Sequence, residues 1–225
     1  LDAATFDVMR PVLDSGQLPH LRQLMESGSF GTLQSTMPPL SPAAWVSAMT
    51  GRNPGQHGVF DFRHLDLSTL HGRKDTLVSS REYSGTTVFD LLGRRGLRVG
   101  AFNIPLTYPA WPINGVMVSG PITPDHRQAY THPPELGGRL GLMARHTSPE
   151  HLQSFGDAEY LEELIWDTQT HFHLGLQLLE EEGPFDLFWF HLHTIDSVQH
   201  RFWRYIEPAD PKYGEAIAHL YRLAD

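Results

Sequence analysis

The chain has 225 residues, of which 40% are hydrophobic and 19% charged, so it can bury a core and is not a disordered polymer. Lys and Arg number 17 against 26 Asp and Glu, a net charge of −9 that excludes a nucleic-acid-coating surface. There is no Cys and no apolar run of about eighteen residues, which excludes disulfides, thiolate metal sites and a transmembrane helix.

The predicted elements follow in chain order. Pro19 to Ser27 has helical spacing, with Leu21, Leu24 and Met25 on one face and Gly28 as the stop. Gly31 to Thr36 reads as a short strand, and Ser41 to Thr50 as a helix closed by Gly51. Arg63, Arg73 and Lys74 fall in a polar stretch that reads as a solvated loop. Thr86 to Leu92 is helical up to Gly93, Leu97 to Ile104 is a strand, and Gly115 to Ser119 is another. From Pro121 to Pro149 the chain is rich in Pro, Gly and His, and the interval from about 105 to 157 is expected to carry an irregular, cap-like insertion. Ala158 to Glu182 reads as a long amphipathic helix, its acidic end Glu180 to Glu182 simply solvated, and Phe185 to His193 as an apolar strand. Helices follow from about Ser197 and from about Pro211. Alternation of helices with apolar strands gives an α/β class with a mainly parallel central sheet flanked by helices. In such a sheet, ligands sit beyond the C-terminal strand ends.

Three elements carry chemistry. With Cys absent, a metal site must be built from the 14 His, from Asp and Glu, and from hydroxyls, which suits zinc or manganese. In Thr36-Met-Pro-Pro-Leu-Ser41-Pro42-Ala-Ala-Trp45, Ser41 is expected at a helix N-cap with Pro42 at the first helical position. A hydroxyl there lies at the positive end of the helix, where an anion is favoured. Most N-cap serines only cap. After the apolar strand, Asp196 and His200 stand one turn apart on one helix face, a spacing that can grip a cation. The bland alternative is a capping Asp and a surface His. Asp2, near the chain start, carries no signal alone.

Together these resemble the alkaline phosphatase superfamily, most closely its type I phosphodiesterase/nucleotide pyrophosphatase branch. The resemblance rests on Leu1-Asp2-Ala-Ala-Thr-Phe-Asp7, Met37-Pro-Pro-Leu-Ser41-Pro-Ala-Ala-Trp-Val-Ser-Ala-Met-Thr50-Gly51, Asn53-Pro54-Gly-Gln-His57-Gly58 and Asp196-x-x-x-His200, in order over most of the chain. It implies a hydrolase with two divalent ions, zinc expected and manganese the alternative. It makes Asp2 a ligand of one metal, Ser41 the nucleophile bridging to that metal, and Asp196 and His200 ligands of the other. Thr50, Gly51, Pro54, His57 and Gly58 match a stretch that supports the nucleophile's helix. The implied reaction hydrolyses a phosphate ester, diester or monoester, of a small phosphorylated substrate through a phosphoseryl intermediate.

The pattern has departures. The family completes its site with an Asp-His-Gly and a later His that residues 1–225 do not contain; Asp125-His126 comes too early and precedes Arg127. The chain opens on Leu1 and ends on Asp225, so both ends look cut. It is expected to be the N-terminal part of one larger α/β hydrolase domain, binding metal weakly and inactive as it stands. No signal peptide is visible, and a cytoplasmic location is favoured. After His57-Gly58 comes Val59-Phe60-Asp61-Phe62-Arg63, without the Asn that contacts phosphate in many nucleotide pyrophosphatases, which counts against a nucleotide substrate; Asn103 is a candidate polar substitute as substrate contact, with a loop-capping role favoured over it. His191 and His193 flank Leu192 and would share one strand face; packing is favoured over ligation. Arg201, Phe202, Trp203 and Tyr205 read as helix packing or pocket lining. The competing readings are another branch (phosphoglycerate mutase, phosphonate or sulfate ester hydrolase) and a degenerate, non-catalytic binding domain. Ser41-Pro-Ala-Ala-Trp45 lacks the Pro and Arg of a sulfatase signature.

Overall fold

The computed structural model describes residues 1–66, 72–121, 123, 129–141, 154–206 and 210–225. In chain order the elements are α1 (Phe6–Asp14), α2 (Pro19–Ser27), α3 (Ser41–Thr50), α4 (Pro54–His57), β1 (Arg63–Asp66), β2 (Gly72–Leu77), α5 (Val88–Gly93), β3 (Val99–Ile104), β4 (Gly115–Ser119), β5 (Thr131–His132), α6 (Leu136–Arg139), α7 (Asp157–Glu182), β6 (Leu187–Phe190), α8 (Thr194–Phe202) and α9 (Ala216–Ala224). They fall into two compact units. The first holds Leu1–Thr32, Thr147–Leu174 and Leu192–Asp225; the second holds Leu33–His146 and Gly175–His191.

The second unit is built on a sheet of order β5-β4-β3-β6. β3 pairs in parallel with β4 and with β6, and β5 adds an antiparallel edge. The fold is thus α/β, as the alternation of patterns indicates, but the helix-flanked sheet is small and mixed: among the described residues, two of its three pairings are parallel and the third is antiparallel. Every residue of β3 is buried, which is the signature of a strand covered on both faces. Val46 and Met49 of α3 and Phe89 of α5 join Val99, Ala101, Ile104 and Met117 in one apolar cluster. Each of these side chains larger than Ala contributes about 1.5–3 kcal/mol by leaving water.

The first unit is helical. Met9, Val12 and Leu13 of α1, Leu164 of α7, Ile195, Val198 and Phe202 of α8, and Ile217, Leu220 and Tyr221 of α9 form its core. Helix α2 has no side-chain cap of its own. The Asp225 carboxylate instead accepts from the His20 and Leu21 N–H groups at 3.0 and 2.8 Å, an anion at the positive helix end.

Several expectations need correction. Residues 31–36 form no strand: Leu33 is 93% exposed, and among the described residues no strand pairs with the segment. Apolar and β-branched residues do not make a strand without an edge to pair with. The polar stretch around Arg63, Arg73 and Lys74 is an antiparallel pair, β1 with β2, not a loop. The apolar run from Phe185 is strand only over Leu187–Phe190. The last helix begins at Ala216, not at Pro211. The glutamates ending α7 are not merely solvated: Glu182 meets Arg139 at 2.6 Å and Arg98 at 3.6 Å. Sheet strands β4 and β5 fall inside the 105–157 interval, and Asp125-His126 lies outside the described residues.

Gly175 sits inside α7, where Gly weakens a helix by about 1 kcal/mol relative to Ala. A Cβ there would fall 2.5 Å from Cε2 of Phe190 and 2.8 Å from its Cδ2. Glycine therefore lets α7 press against β6. Gly175→Ala is expected to destabilise the chain by about 1–3 kcal/mol through overpacking, and Phe190→Leu in the same chain should recover part of that loss. Urea denaturation checks both; a stabilised Gly175→Ala chain would contradict the close approach.

Candidate functional site

In the first unit, Asp196 is the third residue of α8 and His200 follows one turn later. Asp196 Oδ1 and His200 Nε2 are 3.4 Å apart. The Asp196 side chain is 28% exposed and that of His200 77%, so the pair is reachable from solvent. The chain start is strapped onto the same helix. Gln199 Nε2 donates to the Ala3 carbonyl at 2.8 Å and to the Ile195 carbonyl at 3.2 Å. The Asp2 N–H donates to the Leu192 carbonyl at 2.9 Å, and Ala3 makes the turn with φ of 52°. Burial, and then the negative charge of Asp2, push the Asp196 carboxyl above the usual carboxylate range, while His200 and His193 pull it back. Two mutually repelling carboxylates beside an imidazole are a donor set that a divalent cation fits.

Ser41 lies in the second unit. It is the first helical residue of α3, not its cap: Leu40 takes the cap position, without a side-chain cap bond, and Pro42 follows Ser41. The Leu40 carbonyl already accepts the Ala44 N–H at 3.0 Å, which moves the boundary one residue back. Gly51 ends the helix at φ of 67°, a left-handed turn that favours glycine. Asn53 and Gln56 form a capping box on α4. His57 then ties α4 to α3, with Nε2 2.9 Å from Ser47 Oγ and Nδ1 accepting the Val59 N–H at 3.1 Å.

Asn103, the substitute substrate contact, sits near the end of β3 with φ of 59°. Its Nδ2 donates to the His191 carbonyl at 3.1 Å, and its own carbonyl is 2.7 Å from His191 Nδ1. This reciprocal bridge uses both residues for packing, with the Trp45 ring edge-on to His191 at 4.6 Å. His191 and His193 do not share a strand face, because β6 ends at Phe190. His193 Nε2 instead lies 3.2 Å from Asp167 Oδ2, and His171 Nδ1 lies 3.2 Å from Asp167 Oδ1. Asp167 and His171 went unnoticed in the sequence, although Asp167-x-x-x-His171 repeats the spacing of Asp196-x-x-x-His200. Phe202 is core. Arg201 and Arg204 hold Asp157 at 2.7 and 2.9 Å. With Tyr160 and His200 they line an open depression of about 440 Å³.

Burial holds the His57 imidazole below its ordinary value, against a raising contact from the Ala43 carbonyl. The sign follows from linkage. A lowered folded value means that the unfolded chain binds the proton first, so His57 adds stability above about pH 6.5 and loses it as pH falls through the folded value. The stability advantage of the wild type over His57→Gln is therefore expected to shrink between pH 7 and pH 5. Thermal unfolding of both chains across that range measures it, and a constant difference would contradict a partly buried imidazole held neutral.

The family model for type I phosphodiesterase / nucleotide pyrophosphatase matches residues 1–223. No curated protein and no solved structure matches the chain. The family consists of hydrolases of the phosphodiesterase and pyrophosphatase type and is generally metal-dependent. Among the described residues, no helix is long and apolar enough to cross a membrane. With the match running over nearly its whole length, the chain belongs to the type I phosphodiesterase/nucleotide pyrophosphatase family of the alkaline phosphatase superfamily.

Proposed function

We propose that the chain supplies the nucleophile and part of the metal set of an enzyme that hydrolyses a phosphate ester, diester or monoester, through a phosphoseryl intermediate. The observation that carries this reading is the Gln199 strap, which brings Asp2 to the helix bearing Asp196 and His200. Asp2, Asp196 and His200 would hold divalent ions, and Ser41 would be the nucleophile and a further donor. Zinc is the expected metal and manganese the alternative, given oxygen and imidazole ligands without thiolate. Bound ions of this kind acidify a hydroxyl and offset phosphoryl charge.

The chain's own residues account for the rest. Ser41 Oγ gives up its proton and attacks phosphorus; the P–O bond to the leaving alcohol breaks, and water later cleaves the phosphoserine. Ser41 stands in the first turn of α3, where backbone N–H groups and the helix dipole favour the developing negative charge. Pro42 supplies no N–H there. His57 fixes α3 through Ser47 and is a positioning residue. Val59 is fully buried and Phe62 packs on the sheet core, so the stretch after Gly58 serves packing. The reading accordingly names a phosphate ester and assigns no nucleotide base.

The test assays bis-p-nitrophenyl phosphate and p-nitrophenyl phosphate on the larger enzyme of which the chain is proposed to be part, with zinc or manganese supplied. Ser41→Ala should lower turnover by more than about a thousandfold, with metal content unchanged to within the Ser41 contribution. Asp196→Asn should lose bound metal together with activity. Retained turnover in Ser41→Ala would overturn the nucleophile assignment.

A further inference from the structure

A second group of metal-ligating side chains stands in the first unit, and it shares no residue with Asp2, Asp196 and His200. Asp167 and His171 lie one turn apart on α7, and His193 caps the start of α8. One ligand atom from each of the three lies within 4.8 Å of the others. We propose that Asp167, His171 and His193 form a further binding site for a zinc-type divalent cation, held by one carboxylate and two imidazoles. The inference does not depend on the proposed hydrolase reading.

Three observations carry it. The first is spacing. A tetrahedral ion with ligand bonds of about 2.0–2.1 Å sets its ligands about 3.3–3.4 Å apart. The contacts run from His171 Nδ1 to Asp167 Oδ1 and from His193 Nε2 to Asp167 Oδ2, each at 3.2 Å, and one ligand atom from each residue lies within 4.8 Å of the others, so small side-chain rotations bring the three to that spacing. The second is exposure. The side chains of Asp167, His171 and His193 are 25%, 17% and 26% exposed, which shields the site yet leaves a way in. The two rings stand edge to face at 83°, with centroids 5.6 Å apart, so they approach the carboxylate from different directions. The third is preorganisation. Thr168, next to Asp167, and Thr194, next to His193, are fully buried, and their hydroxyls share a 2.7 Å hydrogen bond. Thr168 Oγ1 is also 2.8 Å from the Leu164 carbonyl. The backbone beneath two of the three donors is therefore fixed before any ion arrives.

Two imidazoles with one carboxylate suit zinc better than calcium or magnesium, which prefer oxygen ligands. Three protein donors leave a position for water. The ion would clip α7 to the start of α8, the helix that presents Asp196 and His200.

The experiment is zinc stoichiometry by equilibrium dialysis and elemental analysis on the whole chain. Asp196→Asn with His200→Gln disables the other donor set, and this double variant should still hold one equivalent of zinc. Adding His171→Gln should remove it, while far-UV circular dichroism stays unchanged. The wild type gives an arm that does not depend on variants folding: in long-range 1H–15N spectra, zinc should shift His171 Nδ1 and His193 Nε2. Zinc lost entirely from the Asp196→Asn/His200→Gln chain, zinc retained after His171→Gln, or His171 and His193 signals unmoved at saturating zinc would each overturn the site.

Discussion

The tie of the chain start to α8 is the constraint on which this part of the first unit depends: Gln199 and Leu192 hold the backbone at Ala3 and Asp2, close enough for the Asp2 charge to disfavour the ionised form of Asp196. Nothing in a fold gathers like charges for stability alone; burial and the Asp2 charge both act to push the Asp196 carboxyl up. The arrangement persists because the surroundings overdetermine it. Gln199 holds the chain start by the Ala3 carbonyl, Leu192 holds the Asp2 N–H, and Tyr221 accepts the Thr5 N–H at 2.9 Å. Beneath these bonds lies an apolar core drawn from α1, α7, α8 and α9. The energy of that core offsets the unfavourable pair, and a divalent cation would reverse the sign of the interaction.

In the second unit, the proposed nucleophile Ser41 stands at the start of α3. Helix α3 is held on the sheet by Val46 and Met49. It is stopped by Gly51, and braced from α4 by His57. Pro42 narrows the choices of the first turn without costing a hydrogen bond, since that N–H has no intrahelical partner. The buried β3 beside it gives a rigid base, which is what a nucleophile needs if its oxygen is to be positioned closely.

Much of this was legible in the sequence, and the reasons are physical. The boundaries of α2 and α3 and of β4 were readable because Pro, Gly and apolar periodicity coincide there. Helix α7 was readable from its length and amphipathic pattern. Helix α1 was not, because Pro11 sits inside it and breaks the usual signal. The β1–β2 pair carries polar residues such as Arg63, so no apolar alternation announced it. The pairing of Asp196 with His200 on one helix was legible through i, i+4 spacing, whereas the proposed role of Asp2 depended on the family resemblance. Asp167 and His171 have the same spacing but lie within an amphipathic helix, where an acid and a histidine pass for its polar face. Their link to His193 spans 26 residues of sequence between Asp167 and His193, and only the fold brings those residues together.

The central claim is that Asp2, Asp196 and His200 are a ligand set. Anomalous diffraction at the zinc edge, on crystals of the protein grown with zinc, tests it most directly. The account requires an anomalous peak within bonding distance of the Asp196 carboxylate and His200 Nε2, with the Asp2 carboxylate at the same or an adjacent ion. Zinc peaks elsewhere in the molecule, with Asp2, Asp196 and His200 all free of metal, would contradict it.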